Sequence, residues 1–140
     1  MNIVLIEDNP GDVLLAREAL RELDLSHHLH LATDGEGAIC LISEMMADPH
    51  STPDLVLLDL NLPGLSGLEV LSFIKSQQAW QQVPVVVFST SDAHSDIQSC
   101  YARRANCFLT KPIGFDELVQ MFRRVFDFWN RQNQAWRVSA

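Results

Sequence analysis

The sequence has 140 residues, of which 47% are hydrophobic and 20% are charged, the composition of a folded globular protein rather than a disordered one. We expect one domain covering residues 1–140, with a core of about 1–130 and a C-terminal helix extension and tail at about 131–140. The formal net charge of −8 disfavours nonspecific binding to nucleic acid. Since no cationic leader and no membrane-length apolar stretch is found, we expect a cytoplasmic protein that does not insert into a membrane.

Short apolar runs alternate along the chain with segments of helical periodicity. The predicted strands comprise residues 2–6, 28–32, 55–58, 85–88 and 107–109. The predicted helices lie at about residues 10–24, 38–45, 68–74, 93–101 and from 115 past 129. Five strand–helix alternations predict an α/β fold, with a single parallel sheet, right-handed crossovers and helices on both faces.

The third apolar run, Leu55 to Leu58, ends at a single carboxylate, that of Asp59. Pro63, Gly64 and Gly67 prevent regular structure from continuing directly beyond it. Open α/β sheets bind ligands at the carboxyl ends of their strands, which is where this carboxylate would lie. An isolated aspartate at such a position more often caps a helix or begins a turn, so a function for Asp59 depends on the residues near it.

Polar residues follow four of the five predicted strands. Glu7 and Asp8 follow the first strand, Asp59 the third, Ser89 the fourth and Lys111 the fifth. Because the carboxyl ends of parallel strands meet at one edge of a sheet, we expect these side chains to converge. Three carboxylates brought together in a partly buried position would repel one another, so the cluster indicates a bound cation.

Oxygen ligands without histidine or cysteine favour a hard ion that keeps part of its water, and we therefore predict Mg²⁺ as the cofactor. Asp8 and Asp59 are the expected direct ligands, and Glu7 is expected to act through water. The main-chain carbonyl of Asn61 is the expected third protein ligand.

This combination of groups suits phosphoryl transfer, in which positioning and charge neutralisation do most of the chemistry. Asp59 would be the covalent acceptor. Lys111 can pair with Asp59 before transfer and with a phosphoryl oxygen afterwards, while Ser89 can donate its hydroxyl to another phosphoryl oxygen.

Taken together, these motifs resemble the receiver domain of two-component response regulators over nearly the whole chain. The matching pieces are Glu7-Asp8, Leu57-Leu58-Asp59 with Leu62-Pro63-Gly64 and Gly67, Ser89 after four apolar residues, and Lys111-Pro112. The resemblance implies the flavodoxin-like sheet order 2-1-3-4-5. It also implies a phosphoacceptor that receives its phosphoryl group from a histidine kinase, catalyses its own transfer and loses the group slowly.

The resemblance also implies details at four positions. It implies a cis bond between Lys111 and Pro112, and a switch in which phosphorylation draws Ser89 toward the site and Phe108 inward. Phe108 could equally be a plain core residue at the end of its strand. Arg104 stands where relatives usually have a glycine after the fourth helix, so we expect a different helix end there.

Four segments resemble the single-domain regulators that serve bacterial phytochrome kinases, which are commonly dimeric. They are Ile6 to Val13, the proline-rich loop before the third strand, Ala105 to Pro112 and Phe126 to Trp129. We therefore expect a phytochrome-type sensor histidine kinase as the partner. With no effector domain expected after the last helix, the output would be protein binding.

The last helix has an apolar arc that covers roughly half of its circumference. We interpret this arc as a partner surface, most simply a symmetric homodimer formed through the fourth helix, fifth strand and fifth helix. The predicted interface residues are Tyr101, Phe122, Phe126, Phe128, Trp129 and Trp136. The alternative is a wide core face with scattered exposed apolar residues.

Three other functions remain as alternatives. A haloacid-dehalogenase-like phosphatase would need a second aspartate two residues after the nucleophile, where this chain has Asn61. A flavodoxin-like nucleotide binder would need a glycine-rich phosphate loop after the first strand, and none is present. A receiver that serves as a docking module without being phosphorylated would retain the whole motif set.

Overall fold

The computed structural model describes the backbone of residues 1–23 and 26–139, and the side chains of these residues up to Trp129. Its centre is a five-stranded parallel sheet in the order β2-β1-β3-β4-β5, as predicted. The strands are β1 (Asn2–Ile6), β2 (His28–Ala32), β3 (Leu55–Leu58), β4 (Val85–Ser89) and β5 (Cys107–Thr110). In this order β1, β3 and β4 are interior strands, so the acidic residues that follow β1 and β3 lie at the middle of the sheet edge.

Five α-helices connect and follow the strands, close to the predicted positions. They are α1 (Pro10–Glu22), α2 (Gly35–Met46), α3 (Gly67–Ser76), α4 (His94–Ala102) and α5 (Phe115–Ser139). The side chains of Asn9, Asp34 and Ser66 cap the first three of these helices by accepting backbone hydrogen bonds. In contrast, α4 begins after Ala93 without a side-chain cap.

Helices cover both faces of the sheet, because alternate strand residues feed two separate cores. Val4 and Ile6 pack with α2, α3 and α4, whereas Ile3 and Leu5 pack with α1 and α5. All four of these strand residues are 3% exposed or less. This two-sided burial explains why the interior strands β1, β3 and β4 are continuous apolar runs with polar residues at their ends, whereas the edge strand β2 alternates.

Two of the predicted interface residues belong instead to the core beneath α5. Phe122 and Phe126 are each 1% exposed, and the ring of Phe122 lies 5.6 Å from that of Phe88 and 6.0 Å from that of Phe126. Their assignment to a dimer interface was wrong because they form the centre of the helix face that packs on the sheet. This part of the apolar arc is therefore core.

Other predicted interface residues remain accessible. Tyr101 is 49% exposed and Phe128 is 52% exposed. Trp129 is half-buried and meets the ring of Phe128 edge to face, with 4.7 Å between ring centres. Trp136 lies on α5, but its side chain is outside the described ones. Phe128 thus projects from α5 beyond the core, whereas Trp129 packs against the edge of the core.

Arg104 ends α4 in an unusual backbone conformation. Its φ of 69° makes it the only non-glycine residue with positive φ in the described part of the chain. Its Nη2 atom donates to the carbonyl oxygen of Lys75 at 2.9 Å. The helix end therefore keeps the left-handed geometry for which glycine is usual, and the arginine side chain ties this end to α3.

None of the helices in the described part of the chain combines the length and apolar character needed to cross a bilayer.

Candidate functional site

The carboxyl ends of β1, β3 and β5 meet around an open cleft of about 410 Å³. The residues that line it are Glu7, Asp8, Asn9, Pro10, Asp12, Asp59, Asn61, Thr90 and Lys111. The predicted convergence of Glu7, Asp8, Asp59 and Lys111 is therefore present in the fold. Parallel strands of similar length bring their polar ends to one edge, which is why spacing along the chain was sufficient to find these residues.

The loop after β3 is held against Asp59 by close backbone contacts. Gly67 N donates to the carbonyl oxygen of Leu60 at 3.0 Å. A Cβ atom at Gly67 would lie 2.5 Å from the carbonyl oxygen of Asp59, closer than atoms can approach. Glycine at this position therefore lets the start of α3 pack directly against the backbone of Asp59.

Three carboxylates form a compact cluster on the rim. Glu7, Asp8 and Asp59 each offer one oxygen, and these oxygens all lie within 4.8 Å of one another. Glu7 and Asp59 are buried, whereas Asp8 is exposed to solvent. A cation could therefore be held from below by two buried carboxylates and still be reached by water from above.

Burial makes the Glu7 carboxyl group harder to ionise than that of an exposed glutamate. Burial raises the pKa of Glu7 from 4.5 to about 7; the hydrogen bond from Lys111 opposes this rise, and the Asp59 carboxylate adds to it. An oxygen-binding cation would stabilise the ionised form of Glu7. The donor set, which contains only oxygen atoms, suits a hard divalent ion.

Lys111 is the cation that the fold itself supplies to these carboxylates. Its Nζ atom lies 2.8 Å from Glu7 Oε2, 2.9 Å from Asp12 Oδ2 and 3.2 Å from Asp59 Oδ2. Burial by itself would lower the pKa of Lys111, but the hydrogen bonds to Glu7 and Asp12 outweigh burial and raise it. Lys111 is therefore a permanent positive charge in the cleft.

Asp12 is a member of the site that the sequence analysis missed. Its position in the first turn of α1 suggested only an interaction with the helix dipole. Its carboxylate is also close enough to form an ion pair with Lys111, 99 residues away in the sequence. The spacing of four residues from Asp8 to Asp12, one turn into a helix that starts at the rim, is the signal that could have revealed it.

Asp59 is held in place by donors on both of its oxygens. Oδ1 accepts from the backbone N–H of Asn61 at 3.1 Å, and Oδ2 accepts from Lys111. Its backbone N–H donates to the carbonyl oxygen of Ile6, which ties the residue to the end of β1. With 6% exposure, the carboxylate is buried at its base and reachable only through the cleft. Asn61 also lines the cleft, and its carbonyl group as a metal ligand stays a prediction.

Ser89 lies deeper than its predicted role requires. It is fully buried, and its Oγ atom accepts from the backbone N–H of Ser91 at 3.2 Å. Its carbonyl oxygen accepts from the backbone N–H of Lys111 at 2.8 Å and so joins the ends of β4 and β5. Thr90, the next residue, is exposed and lines the cleft instead. A hydroxyl is thus present on the rim, while that of Ser89 points into the loop.

The neighbourhood of Lys111 corrects one expectation. The described part of the chain contains no cis peptide bond, so the predicted cis bond between Lys111 and Pro112 is wrong for this structure. The trans form is the lower in energy for X–Pro bonds, by about 0.5–1 kcal/mol. Phe108 is half-buried, and its backbone N–H donates to the hydroxyl of Tyr101 at 3.1 Å, so that β5 is fastened to α4.

Comparison with known proteins decides the family. The model of the response regulator receiver domain matches residues 3–123. The chain belongs to this family. Within the receiver, the acidic cluster, the aspartate at the end of β3 and the lysine after β5 all lie at the cleft. Family membership removes the phosphatase and nucleotide-binding alternatives.

Relatives of this receiver include phytochrome response regulators. Response regulator Rcp1 of Synechocystis sp. is 36% identical over 128 residues, which cover 91% of this chain and 87% of Rcp1. The crystal structure of the phosphorylated cyanobacterial phytochrome response regulator RcpA has a TM-score of 0.83 and 39% identity, covering 91% of this chain and 92% of that one.

A second solved structure bears on the metal. The Mn²⁺-bound form of Rcp1 has a TM-score of 0.79 and 36% identity, and the match covers 91% of this chain and 93% of that one. Receiver domains bind divalent metal ions, and the cluster of Glu7, Asp8 and Asp59 offers oxygen ligands for one.

Proposed function

We propose that this receiver accepts a phosphoryl group on Asp59 from a sensor histidine kinase, in a Mg²⁺-dependent reaction, and signals through protein binding that phosphorylation biases. The observation that carries this proposal is the position of Asp59, which has Lys111 at 3.2 Å and oxygen atoms of Glu7 and Asp8 within 4.8 Å. The acceptor carboxylate thus lies beside a fixed cation and among oxygen ligands for a second one.

The residues of the rim fit Mg²⁺. Glu7, Asp8, Asp59 and the main-chain carbonyl of Asn61 would hold the ion, with water completing its coordination. When bound, Mg²⁺ supplies positive charge that offsets repulsion between the carboxylates and an incoming phosphoryl group. The exposure of Asp8 leaves the ion accessible to the phosphoryl oxygens.

The transfer itself is a displacement at phosphorus. One carboxylate oxygen of Asp59 forms a bond to phosphorus while the P–N bond to the kinase histidine breaks, and the bonding electron pair stays on the imidazole nitrogen. Lys111 binds a phosphoryl oxygen as negative charge moves from Asp59 onto the acyl phosphate. The buried base of the Asp59 side chain keeps the carboxylate directed at the cleft.

Phosphorylation would then change the conformation at the ends of β4 and β5. Ser89 Oγ accepts from the backbone N–H of Ser91, so its own O–H remains available to donate to a phosphoryl oxygen, and a rotation of the side chain toward the cleft would move the loop that leads to α4. Phe108 and Tyr101 couple β5 to the same helix. In the first turn of α4, Asp96 Oδ2 accepts from Ser91 Oγ at 2.6 Å, which links the start of this helix to the loop after β4. These contacts support a change at α4 and β5 as the output.

The proposed partners follow from the relatives and from the surface. The match to Rcp1 and RcpA supports a phytochrome-type kinase as the phosphoryl donor. A groove of about 460 Å³ between β5 and α5, lined in part by Leu109, Met121 and Val125, supports homodimerisation through α4, β5 and α5. In this dimer the exposed Phe128 extends the apolar groove along α5.

The experiment that tests the proposal is phosphotransfer from a phytochrome-type kinase labelled with radioactive ATP. Wild-type protein should acquire the label in Mg²⁺, and Asp59→Asn should not. Wild-type protein that binds the kinase without acquiring the label would instead support a docking module that works without phosphorylation.

A further inference from the structure

The ion pair between Asp12 and Lys111 has no role in the phosphoryl chemistry described above. Asp12 Oδ2 lies 2.9 Å from Lys111 Nζ, closer than the acceptor Asp59 at 3.2 Å. The position of Asp12 is fixed because its backbone N–H donates to Oδ1 of Asn9, which caps α1. The first turn of α1 therefore presents a carboxylate that shares Lys111 with Asp59.

All hydrogen-bond donors of Lys111 are used before phosphorylation. An ammonium group has three N–H donors, and three carboxylate oxygens lie within 3.2 Å of Nζ. The side chain of Lys111 is only 10% exposed, so solvent offers little room for another arrangement. A phosphoryl oxygen that binds Lys111 must therefore displace one of the three carboxylates.

The three carboxylates differ in how easily they can leave. Glu7 is 4% exposed, and its second oxygen accepts from the backbone N–H of Asn9, so release would leave it buried without Lys111. Exchange of Asp59 Oδ2 for an oxygen of its own phosphoryl group keeps this contact of Lys111 on the same side chain, but the larger phosphoryl group still needs room at the ammonium group. Asp12 is 36% exposed, so water can solvate its carboxylate once Lys111 leaves. Asp12 is the partner with the smallest desolvation penalty on release.

We propose that Asp12 is a positioning residue for Lys111, which holds the ammonium toward α1 in the unphosphorylated receiver and is replaced there by a phosphoryl oxygen. This inference rests on the proposed phosphorylation of Asp59. It has two consequences. Asp12 weakens binding of a phosphoryl group, because its ion pair must break first, and phosphorylation frees the first turn of α1 from Lys111.

The test compares the affinity of beryllofluoride, a phosphoryl mimic, at saturating Mg²⁺ in wild-type protein and in Asp12→Asn. The variant should bind about two- to fivefold more tightly, the range expected for loss of one partly exposed ion pair. Glu18→Gln is the matched control, since Glu18 is also on α1, is 43% exposed and pairs only with Arg21 among the described ion pairs. Its affinity should equal that of wild type.

A double-mutant cycle separates the ion pair from a general charge effect. In a Lys111→Met background, Asp12→Asn should leave the beryllofluoride affinity unchanged. An equal gain in both backgrounds would show that Asp12 acts only by long-range repulsion and would overturn the proposal. Unchanged or weaker binding by Asp12→Asn alone would overturn it as well.

The position of Lys111 can also be followed directly through the ¹⁵N resonance of its ammonium group. Without ligand this resonance should differ between wild type and Asp12→Asn, and the two should agree after beryllofluoride binds. Identical resonances without ligand would contradict the proposal even if Lys111→Met does not fold. Failure of the wild type to bind beryllofluoride would instead refute the phosphorylation of Asp59.

Discussion

Lys111 Nζ lies 3.2 Å from Asp59 Oδ2, and this contact joins the ends of β5 and β3 across the intervening strand β4. The two residues are 52 positions apart in the sequence. Because Glu7 and Asp12 share the same ammonium group, the contact belongs to a network of one cation and three anions. The acceptor carboxylate of Asp59 thus lies next to both Lys111 and the acidic cluster.

Removing the Lys111 ammonium group should show how much it contributes to the free energy of unfolding. Lys111→Ala leaves two largely buried carboxylates without their cation, so the free energy of unfolding should fall by about 2–4 kcal/mol in EDTA. Added Mg²⁺ should recover part of this loss, because the ion supplies a replacement charge. Urea unfolding with and without Mg²⁺ measures both effects.

The Lys111→Ala variant also distinguishes phosphorylation of the receiver from the conformational response to it. Phosphorylation of Lys111→Ala by acetyl phosphate should persist, while the amide shifts that accompany it at α4 and β5 should shrink markedly. Equal loss of labelling and of amide shifts would contradict the role of Lys111 as the residue that reports the phosphoryl group.

The raised pKa of Glu7 predicts an unusual pH dependence in metal-free protein. Because the pKa of Glu7 rises from 4.5 to about 7 on folding, the folded state binds more protons than the unfolded state between these values. The free energy of unfolding should therefore fall as pH rises through this window. Relative to Glu7→Gln, which cannot titrate, the fall should be on the order of 2 kcal/mol.

Urea unfolding of wild type and Glu7→Gln in EDTA, from pH 4.5 to pH 7, measures this difference. Parallel stability profiles for the two proteins would show that Glu7 titrates normally and that the carboxylates are not crowded.

Most of the fold could be predicted from the sequence because both faces of the sheet are buried. Strands such as β3 are unbroken apolar runs, and each ends where a polar residue reaches the edge of the sheet. The strand order came from the family resemblance, and the structure confirms it. The short 3-10 turns Pro49–Ser51 and Gln78–Trp80 were missed because each comprises only three residues among loop-forming ones.

The candidate site could be predicted only where strand ends supply its residues. Asp12 was missed because its contact with Lys111 depends on the angle at which α1 leaves the rim. Phe122 and Phe126 were misplaced because helical periodicity gives the width of an apolar face but not which part of it the sheet covers. The direction of the Ser89 hydroxyl depends on a hydrogen bond within the following loop.

The end of α4 offers a test of backbone strain. Arg104 has a φ of 69°, a conformation that asparagine tolerates and β-branched residues strongly resist. Arg104→Val should lower the free energy of unfolding by about 1–2 kcal/mol relative to Arg104→Asn. Both variants lose the bond to the Lys75 carbonyl, so the difference between them isolates the backbone. Equal stabilities by thermal unfolding would contradict the left-handed conformation.

Phe128 provides the cleanest test of the proposed homodimer. It is 52% exposed, so Phe128→Glu should abolish self-association without a large loss of stability, because a charge would be buried in the interface. Trp129→Glu is less informative, since Trp129 also packs on the core. Light scattering should report a monomer mass for Phe128→Glu.

Leu14→Glu is the matched control for this measurement. Leu14 is 59% exposed but lies on α1, outside the proposed interface. The control should keep the mass of wild type. A dimer mass for Phe128→Glu, or a monomer mass for wild type, would remove this part of α5 from the interface.

The most direct measurement is the intact mass of the protein after incubation with acetyl phosphate, with either Mg²⁺ or EDTA present. Wild type should gain one phosphoryl group in Mg²⁺ and almost none in EDTA, because Asp59 needs a divalent ion among the carboxylates that surround it. Asp59→Asn should gain none, while the matched surface variant Asp127→Asn should behave as wild type. A phosphoryl group on Asp59→Asn, or equal labelling of wild type in EDTA, would contradict a metal-dependent phosphoacceptor at the end of β3.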